Sequence, residues 1–260
     1  MPKTEKKPSE RKRRAPNSAP ELRKGTAIRT APTISDSVYQ SLHDKIISLE
    51  LPPGTPLSEN ALALSEGVSR TPIREAILRL SDEGLVQVAP KSGTFVARIP
   101  VSALPEALIV RRALEAVTVR SATRLATRSQ IMSLKVIVER HREIENSEDI
   151  TALHHVDEEF HQYIAEIGRL PGLWKLVQQV KMQIDRYRCL TLQIPQERRA
   201  TMVIDEHQAI IDKIESGDED GAVAAMEHHL SGLQHHFVVG IDLYPDYFIR
   251  DIELDDIADI

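Results

Sequence analysis

What most constrains the fold is the order of elements crowded into residues 34–98. In SDSVYQSLHDKIISLEL, Val38, Leu42, Ile46 and Leu49 recur at helical spacing, with Ser35 or Asp36 as the expected N-cap. Pro52, Pro53 and Gly54 end that stretch. LSENALALSEG reads as a short second helix, capped by Ser58 and closed by Gly67. A third begins in SRTPIREA, where Ser69 or Thr71 can cap and Pro72 is tolerated because first-turn amides have no intrahelical partner. Ile73, Ile77 and Leu80 form its buried stripe, and Gly84 stops it. LVQVA and TFVAR then read as strands joined by PKSG, Pro90 to Gly93, whose glycine can take a positive φ. Three helices and a hairpin in about seventy residues make the winged form of the helix-turn-helix.

Charge separates this front from the rest. The formal net charge is -6, yet residues 1–100 hold 16 Lys+Arg against 11 Asp+Glu, and the remaining 160 hold 17 against 28. A basic front and an acidic back imply that only the front meets a polyanion. Within a helix-turn-helix spanning about Glu59 to Leu78, Arg70 and Arg74 stand one turn apart beside the buried stripe. The second helix of the motif offers such residues to base edges in the major groove, where a guanidinium fork matches guanine. The hydroxyls of Ser69 and Thr71, with first-turn amides, suit phosphates. Lys91, Ser92 and Gly93 at the hairpin tip would reach the backbone or the minor groove. Ahead of this domain, residues 1–33 are rich in Lys, Arg, Pro and Ser without hydrophobic period and read as a disordered basic arm; its RKRR at Arg11–Arg14 either brushes phosphates or solubilises.

After Pro100 every segment carries a 3.6-residue apolar period, which predicts a bundle of about six helices. The fold class is therefore mainly α: an N-terminal winged helix-turn-helix over 34–99 and an all-helical domain over 104–240, with an acidic tail at 241–260. The single Cys189 rules out an internal disulfide framework and suits a reducing cytoplasm. No secretory leader and no uncharged apolar run long enough to span a bilayer are present, so a cytoplasmic chain without a membrane partner is expected. Trp174 and Tyr163 are expected in the core, with Cys189. In the bundle, DEEFH places Asp157 and His161 on one helix face, DEHQAI offers His207, and MEHHL offers His228 and His229. Imidazoles with a carboxylate suit Zn²⁺, Ni²⁺, Mn²⁺ or Fe²⁺. An i,i+4 Asp/His pair is more often a capped or salt-bridged surface pair, so spacing alone does not carry the metal reading.

LSENALALSEGVSRTPIREAILRLSDEGLVQVAPKSGTFV closely resembles the DNA-binding domain of GntR-family bacterial transcription regulators, in which the matching arginines, Ser/Thr and wing tip contact operator DNA. One departure is Glu66, where the family usually has an apolar residue. Residues from about 105 to 238 resemble the FCD ligand-sensing domain of the FadR subfamily, through RRALE, DEEFHQYIAE and EHQAIIDKIESGDEDGAVAAMEHHL. In metal-binding members an Asp, the His four residues later and one His from each of the last two long helices hold a divalent ion. Carried over, these are Asp157, His161, His207 and His229, with His228 turned away because adjacent helical residues point about 100° apart. The cofactor implied is a divalent metal ion, Zn, Ni or Mn. Arg111 matches a position lining the same cavity, where a small carboxylate or sugar-acid effector would bridge metal and guanidinium; Arg112 is expected to face outward. Of Arg186 and Arg188, at least one is expected on a solvated face. The family commonly has Asn where this chain reads GRLPG after the DEEFHQYIAE helix.

The resemblance implies a homodimer on a short inverted-repeat operator in double-stranded DNA, acting as repressor or activator. Two other functions compete. A metal-dependent hydrolase or lyase on the Asp/His cluster needs a general base beside the ion, and Glu158 and Glu206, each next to a ligand in sequence, are expected to point elsewhere. A metal-free acyl-CoA-type sensor is disfavoured by the complete ligand set.

Overall fold

The computed structural model describes residues 33–193, 200–234 and 237–253. The basic arm with its RKRR, and the last residues of the acidic end, lie outside the described residues.

The front folds as three helices and a wing. α1 (Ile34–Ile47) opens on a capping box in which Thr33 accepts from the Asp36 amide and Asp36 accepts from the Thr33 amide. The N-cap is thus Thr33, one turn before the expected Asp36, which serves instead as the reciprocal third-position acid. α2 (Glu59–Ser65) is capped by Ser58. α3 (Arg70–Asp82) has Ser69 at its N-cap and ends where Gly84 takes a φ of 72°. β1 (Val86–Ala89) and β2 (Gly93–Val96) pair antiparallel, Val86 opposite Val96 and Ala89 opposite Gly93. A third edge joins them: the Leu57 amide donates to Thr94 O at 2.7 Å and the Val96 amide to Thr55 O at 2.9 Å. Val38, Leu42, Ile46, Ile73, Ile77, Leu80, Leu85 and Val96 form the core of this unit. Leu49 departs from the expected stripe: it lies past the helix end with a φ of 65° and packs into the other core. Glu66 replaces an apolar contact with a polar one, accepting from Lys45 Nζ at 2.8 Å and Ser41 Oγ at 3.1 Å, which ties α1 to the end of α2.

The rear is helical, in eight segments among the described residues: α4 (Ala103–Leu125), α5 (Arg128–Glu143), α6 (Ile150–Ile167), α7 (Pro171–Val180), α8 (Met182–Gln193), α9 (Ala200–Ser216), α10 (Glu219–Ser231) and α11 (Phe237–Leu243). The eight segments exceed the six expected in part because the helical period running on from Pro171 is broken at Lys181, whose ammonium is buried between two carboxylates. Leu104, Leu108, Val119, Leu134, Phe160, Ile164, Ile204, Ile211 and Met226 meet in its core. Burying each such side chain is worth roughly 1.5–3 kcal/mol, enough to hold the polar cluster described next. Trp174 is buried and Tyr163 packs partly buried against the core, as expected.

Beyond Leu243 the chain does not simply trail away. β4 (Phe248–Ile249) pairs parallel with β3 (Ile99–Pro100) in the segment joining the two halves, Phe248 is buried, and Asp251 accepts from the amide and hydroxyl of Ser102 at 3.0 and 2.6 Å. Short strands two residues long carry no readable period, so this tie was invisible in sequence.

Candidate metal centre and nucleic-acid interface

Asp157 and His161 project from one face of α6, which begins where Asp149 caps the Ala152 amide at 3.0 Å. His207 comes from the middle of α9 and His229 from the last turn of α10. One donor atom from each of these four buried residues lies within 4.8 Å of the others. His228, the neighbour of His229, is exposed. His229 Nε2 lies 3.2 Å from His161 Nε2 and 3.3 Å from His207 Nε2; Asp157 approaches His207 Nε2 at 3.4 Å and His161 Nε2 at 3.8 Å. Phe160 stacks on the His207 ring at 3.9 Å and fixes its plane.

Carboxylates lie beside the outward nitrogens of two of the histidines. Glu206 Oε2 sits 2.9 Å from His229 Nδ1, and Glu115 Oε2 sits 2.6 Å from His161 Nδ1. Glu206 therefore corrects the expectation that it points away: α9 and α10 pack so closely that a residue beside His207 reaches His229 instead. Glu158 does turn away, to Lys181. At His229, an Nδ1–H donated to Glu206 leaves the Nε2 lone pair inward; the Glu115 carboxylate is close to His161 Nδ1 without the alignment of a hydrogen bond. Burial pushes His229 and His207 below the ordinary imidazole value, His207 strongly, with His229 adding to the effect on His207. Burial opposes ionisation of Asp157, but Arg188 and then His161 and His207 outweigh it and hold the carboxyl well below its usual range.

A cluster of this kind fits a divalent ion. Inward lone pairs 3.2–3.3 Å apart would repel one another without a cation between them. At a metal–nitrogen length of about 2.0–2.1 Å, two imidazole nitrogens subtending 90–109° stand about 2.9–3.4 Å apart, which brackets the spacing found.

Arg111 on α4 is buried, with Nε donating to Glu115 Oε1 at 2.7 Å, so it stands behind His161 through Glu115. Burial works against both charges of this pair, but their mutual attraction raises Arg111 and lowers Glu115. Its Nη2 has no hydrogen-bond partner. Arg112 is half-buried and donates to Gln234 Oε1 at 2.8 Å. Neither Arg186 nor Arg188 lies on a solvated face: Arg188 donates to Asp157 Oδ2, and Arg186 is fully buried, donating to Ala97 O at 2.5 Å, with burial lowering it to about 9. His141, on α5, is buried with its ring 5.9 Å from that of His207, a position that no motif in the sequence marks. Only the apolar period of α5, interrupted by a histidine on its buried face, could have marked it.

On the front unit, Ser69, Arg70, Thr71 and Arg74 are all exposed at the start of α3, with the two arginine side chains 59% and 60% accessible. Both guanidiniums meet one carboxylate. Arg70 Nη2 is 3.0 Å from Glu59 Oε2, and Arg74 binds Glu59 through Nε at 3.1 Å and Nη2 at 2.9 Å. Arg74 first, and then Arg70, hold the Glu59 carboxyl down to about 2. At the wing tip Pro90 and Lys91 are the central residues of a turn closed by the Ser92 amide on Ala89 O at 3.0 Å. Lys91 takes a φ of 67° and Gly93 one of 120°, so positive φ falls at two tip positions, not at the glycine alone. Lys91, Ser92 and Gly93 are exposed.

A winged helix-turn-helix joined to a separate helical domain with a buried polar cluster defines a DNA-binding regulator with a second, helical domain. Residues 34–96 match the bacterial regulatory proteins of the gntR family, and residues 106–232 match the FCD domain. An HTH-type transcriptional regulator of Streptomyces ambofaciens is 34% identical over 194 residues, covering 74% of this chain and 80% of the relative. The Uxu operon regulator of Haemophilus influenzae is 32% identical over 224 residues, 79% of this chain and 81% of that protein. The HTH-type transcriptional repressor RspR of Escherichia coli is 28% identical over 207 residues, 79% and 89%. The solved structure of Escherichia coli McbR/YncC shares the fold at a TM-score of 0.70 and 21% identity, covering 82% of this chain and 99% of that one. The chain belongs to the GntR family of transcription regulators, in the group carrying an FCD domain. No helix among the described residues is long and apolar enough to cross a membrane.

Proposed function

We propose that operator binding by this regulator is governed by a small organic acid held at a divalent metal ion in the helical domain. The observation that carries the reading is the convergence of His161, His207 and His229 through Nε2, beside Asp157, while Glu206 bonds the outer nitrogen of His229 and Glu115 lies 2.6 Å from that of His161. Asp157, His161, His207 and His229 would hold the ion, which supplies a Lewis-acidic centre for a carboxylate oxygen. Zn, Ni or Mn suits the donors.

The guanidiniums at the site favour an anionic effector. Arg111 pairs with Glu115 and Arg188 with Asp157. A divalent ion would add two positive charges to this buried site, and a carboxylate would offset part of them. Arg111, with its free Nη2, and Arg188 are the guanidiniums positioned to share the anion.

At the other end, Arg70 and Arg74 read base edges, Ser69 and Thr71 meet phosphates, and Lys91, Ser92 and Gly93 meet backbone or minor groove. Glu59 keeps the two arginines side by side and extended before DNA arrives. A homodimer on an inverted repeat is supported by the outward apolar pair Ile109 and Val117, about two turns apart on α4 and half exposed. The test is a thermal-shift screen of metal-loaded full-length protein against small carboxylates and sugar acids, followed by mobility shift on the operator. Stabilisation by an acid that vanishes after chelation supports the reading; equal stabilisation with and without metal refutes it.

A further inference from the structure

A second buried cluster lies where the winged unit meets the helical domain. His154 and Glu158 stand one turn apart on α6, on a stripe about 60° round the helix from that of Asp157 and His161, and Asp185 comes from α8. One donor atom from each lies within 4.8 Å of the others. His154 is 8% exposed and Asp185 4%. Lys181 occupies one oxygen of each acid, Glu158 Oε2 and Asp185 Oδ2, both at 2.5 Å. Glu158 Oε1, Asp185 Oδ1 and His154 Nδ1 have no hydrogen-bond partner. All three residues line a cavity of about 190 Å³, whose opposite wall is Gln40, His43 and Asp44 of α1.

We propose that this seam holds a second divalent transition-metal ion, coordinated by His154, Glu158 and Asp185. Two carboxylates face one ammonium, so Lys181 alone does not cancel their charge; Asp44 adds to the negative side, while the guanidiniums of Arg111 and Arg188 act on it from behind. Three buried polar atoms without partners are an uncompensated cost that a cation removes in one step. The imidazole selects a transition ion over Mg²⁺ or Ca²⁺, and the cavity leaves room for water ligands. Lys181 keeps the second oxygen of each acid occupied and so orients the first. The assignment is independent of the centre at Asp157, His161, His207 and His229.

The test counts ions on the full-length chain. Protein stripped with chelator is dialysed against excess Co²⁺ or Zn²⁺ and the bound metal is measured, with Co²⁺ absorption separating a three-histidine site from a one-histidine site. The expected result is two ions per chain in the wild type, one in Asp185→Asn and in His154→Ala, and one, with the one-histidine spectrum, in His207→Ala. Asp185→Asn is close to isosteric, and with the wild-type count it decides the matter should His154→Ala fail to fold. A single wild-type ion lost in His207→Ala overturns the seam site alone, as does a second ion that survives both seam variants. An ion retained in His207→Ala but lost in Asp185→Asn supports the seam and sinks the first centre. No ion in the wild type sinks both.

Discussion

Glu206→Ala is the sharpest probe of the proposed metal centre, because Glu206 touches no ion itself. Its carboxylate lies 2.9 Å from His229 Nδ1. Removing it frees the His229 ring to carry its proton on Nε2, where the proton would point at the metal position. Loss of such an outer partner typically weakens metal affinity 10–100-fold, about 1.4–2.7 kcal/mol. In saturating metal the ion-dependent part of stability falls by the same amount. For a chain of this size each kcal/mol moves the Tm by roughly 2–4 °C, so the variant should lose roughly 3–11 °C of metal-dependent stabilisation. The assay is a competition titration against a chromophoric chelator, with paired melts in metal and in EDTA. His228→Ala, an exposed neighbour, is the control and should match the wild type. If Glu206→Ala binds metal as tightly as wild type, the orienting role is refuted. If the Tm falls equally in metal and in EDTA, Glu206 serves the fold and not the ion.

Arg70→Ala and Arg74→Ala should each cost about 1–3 kcal/mol of operator discrimination, read as loss of specific over non-specific binding in mobility shift; an unchanged preference would remove α3 from the reading surface. Because both side chains are exposed, their melts should stay near wild type. Arg111→Ala should destabilise the fold by about 3–5 kcal/mol, because it strands a buried carboxylate, Glu115 being 2% exposed; Arg112→Ala should not, and denaturant unfolding of the two variants compares them. Equal, small effects would mean that the Arg111 and Glu115 pair is not buried in solution. In the presence of chelator, stability should drop as pH falls through about 6.5. His141, His154, His207 and His229 all sit below their ordinary value because of burial, so the unfolded chain binds more protons in that window. A Tm that rises from pH 7.5 to 5.5 would contradict their burial.

How much could be read in advance depended on whether a feature left a period or a spacing. The stripe Ile73, Ile77 and Leu80, the glycines at 67 and 84 and the wing all follow local rules, and the structure places them as those rules require. The convergence of Asp157, His161, His207 and His229 was legible only through the family resemblance, since three helices far apart in sequence supply it. Glu115, Glu206, His141 and Arg188 were missed or undervalued. Each acts through a neighbouring helix, and a contact between helices has no signature on either one alone. The GRLPG departure has a steric cause. A Cβ on Gly168 would stand 2.9 Å from Thr118 O, and Arg169 takes the left-handed turn with a φ of 59°. Here α6 ends flat against α4, and Ser121 Oγ donates to Gly168 O at 2.9 Å.

The contacts that join the candidate metal centre to the winged unit are compressed into α8. Within one turn and a half, Asp185 lies in the seam cluster, Arg186 donates to Ala97 O just before the joining strand, Tyr187 packs in the helical core, Arg188 holds Asp157, and Cys189 is buried among the apolar residues of the winged unit. Burial drives the Cys189 thiol up to about 12, so it is a packing group and not a reactive one. Under the proposed function, an ion bound by Asp157, or an acid bound by Arg188, would each compete with the contact between these two residues. A change in that contact would bear on α8, and a helix in a close-packed interior does not move one residue without its neighbours. Ala97 and the core around Cys189 would then shift with it. A ligand biases operator binding through this helix only as far as it binds one α8 position more tightly than another; Arg188→Met, which removes the charge and keeps the stem, should therefore uncouple effector from DNA while leaving each to bind alone. Retention of effector control in that variant would require a route that bypasses α8.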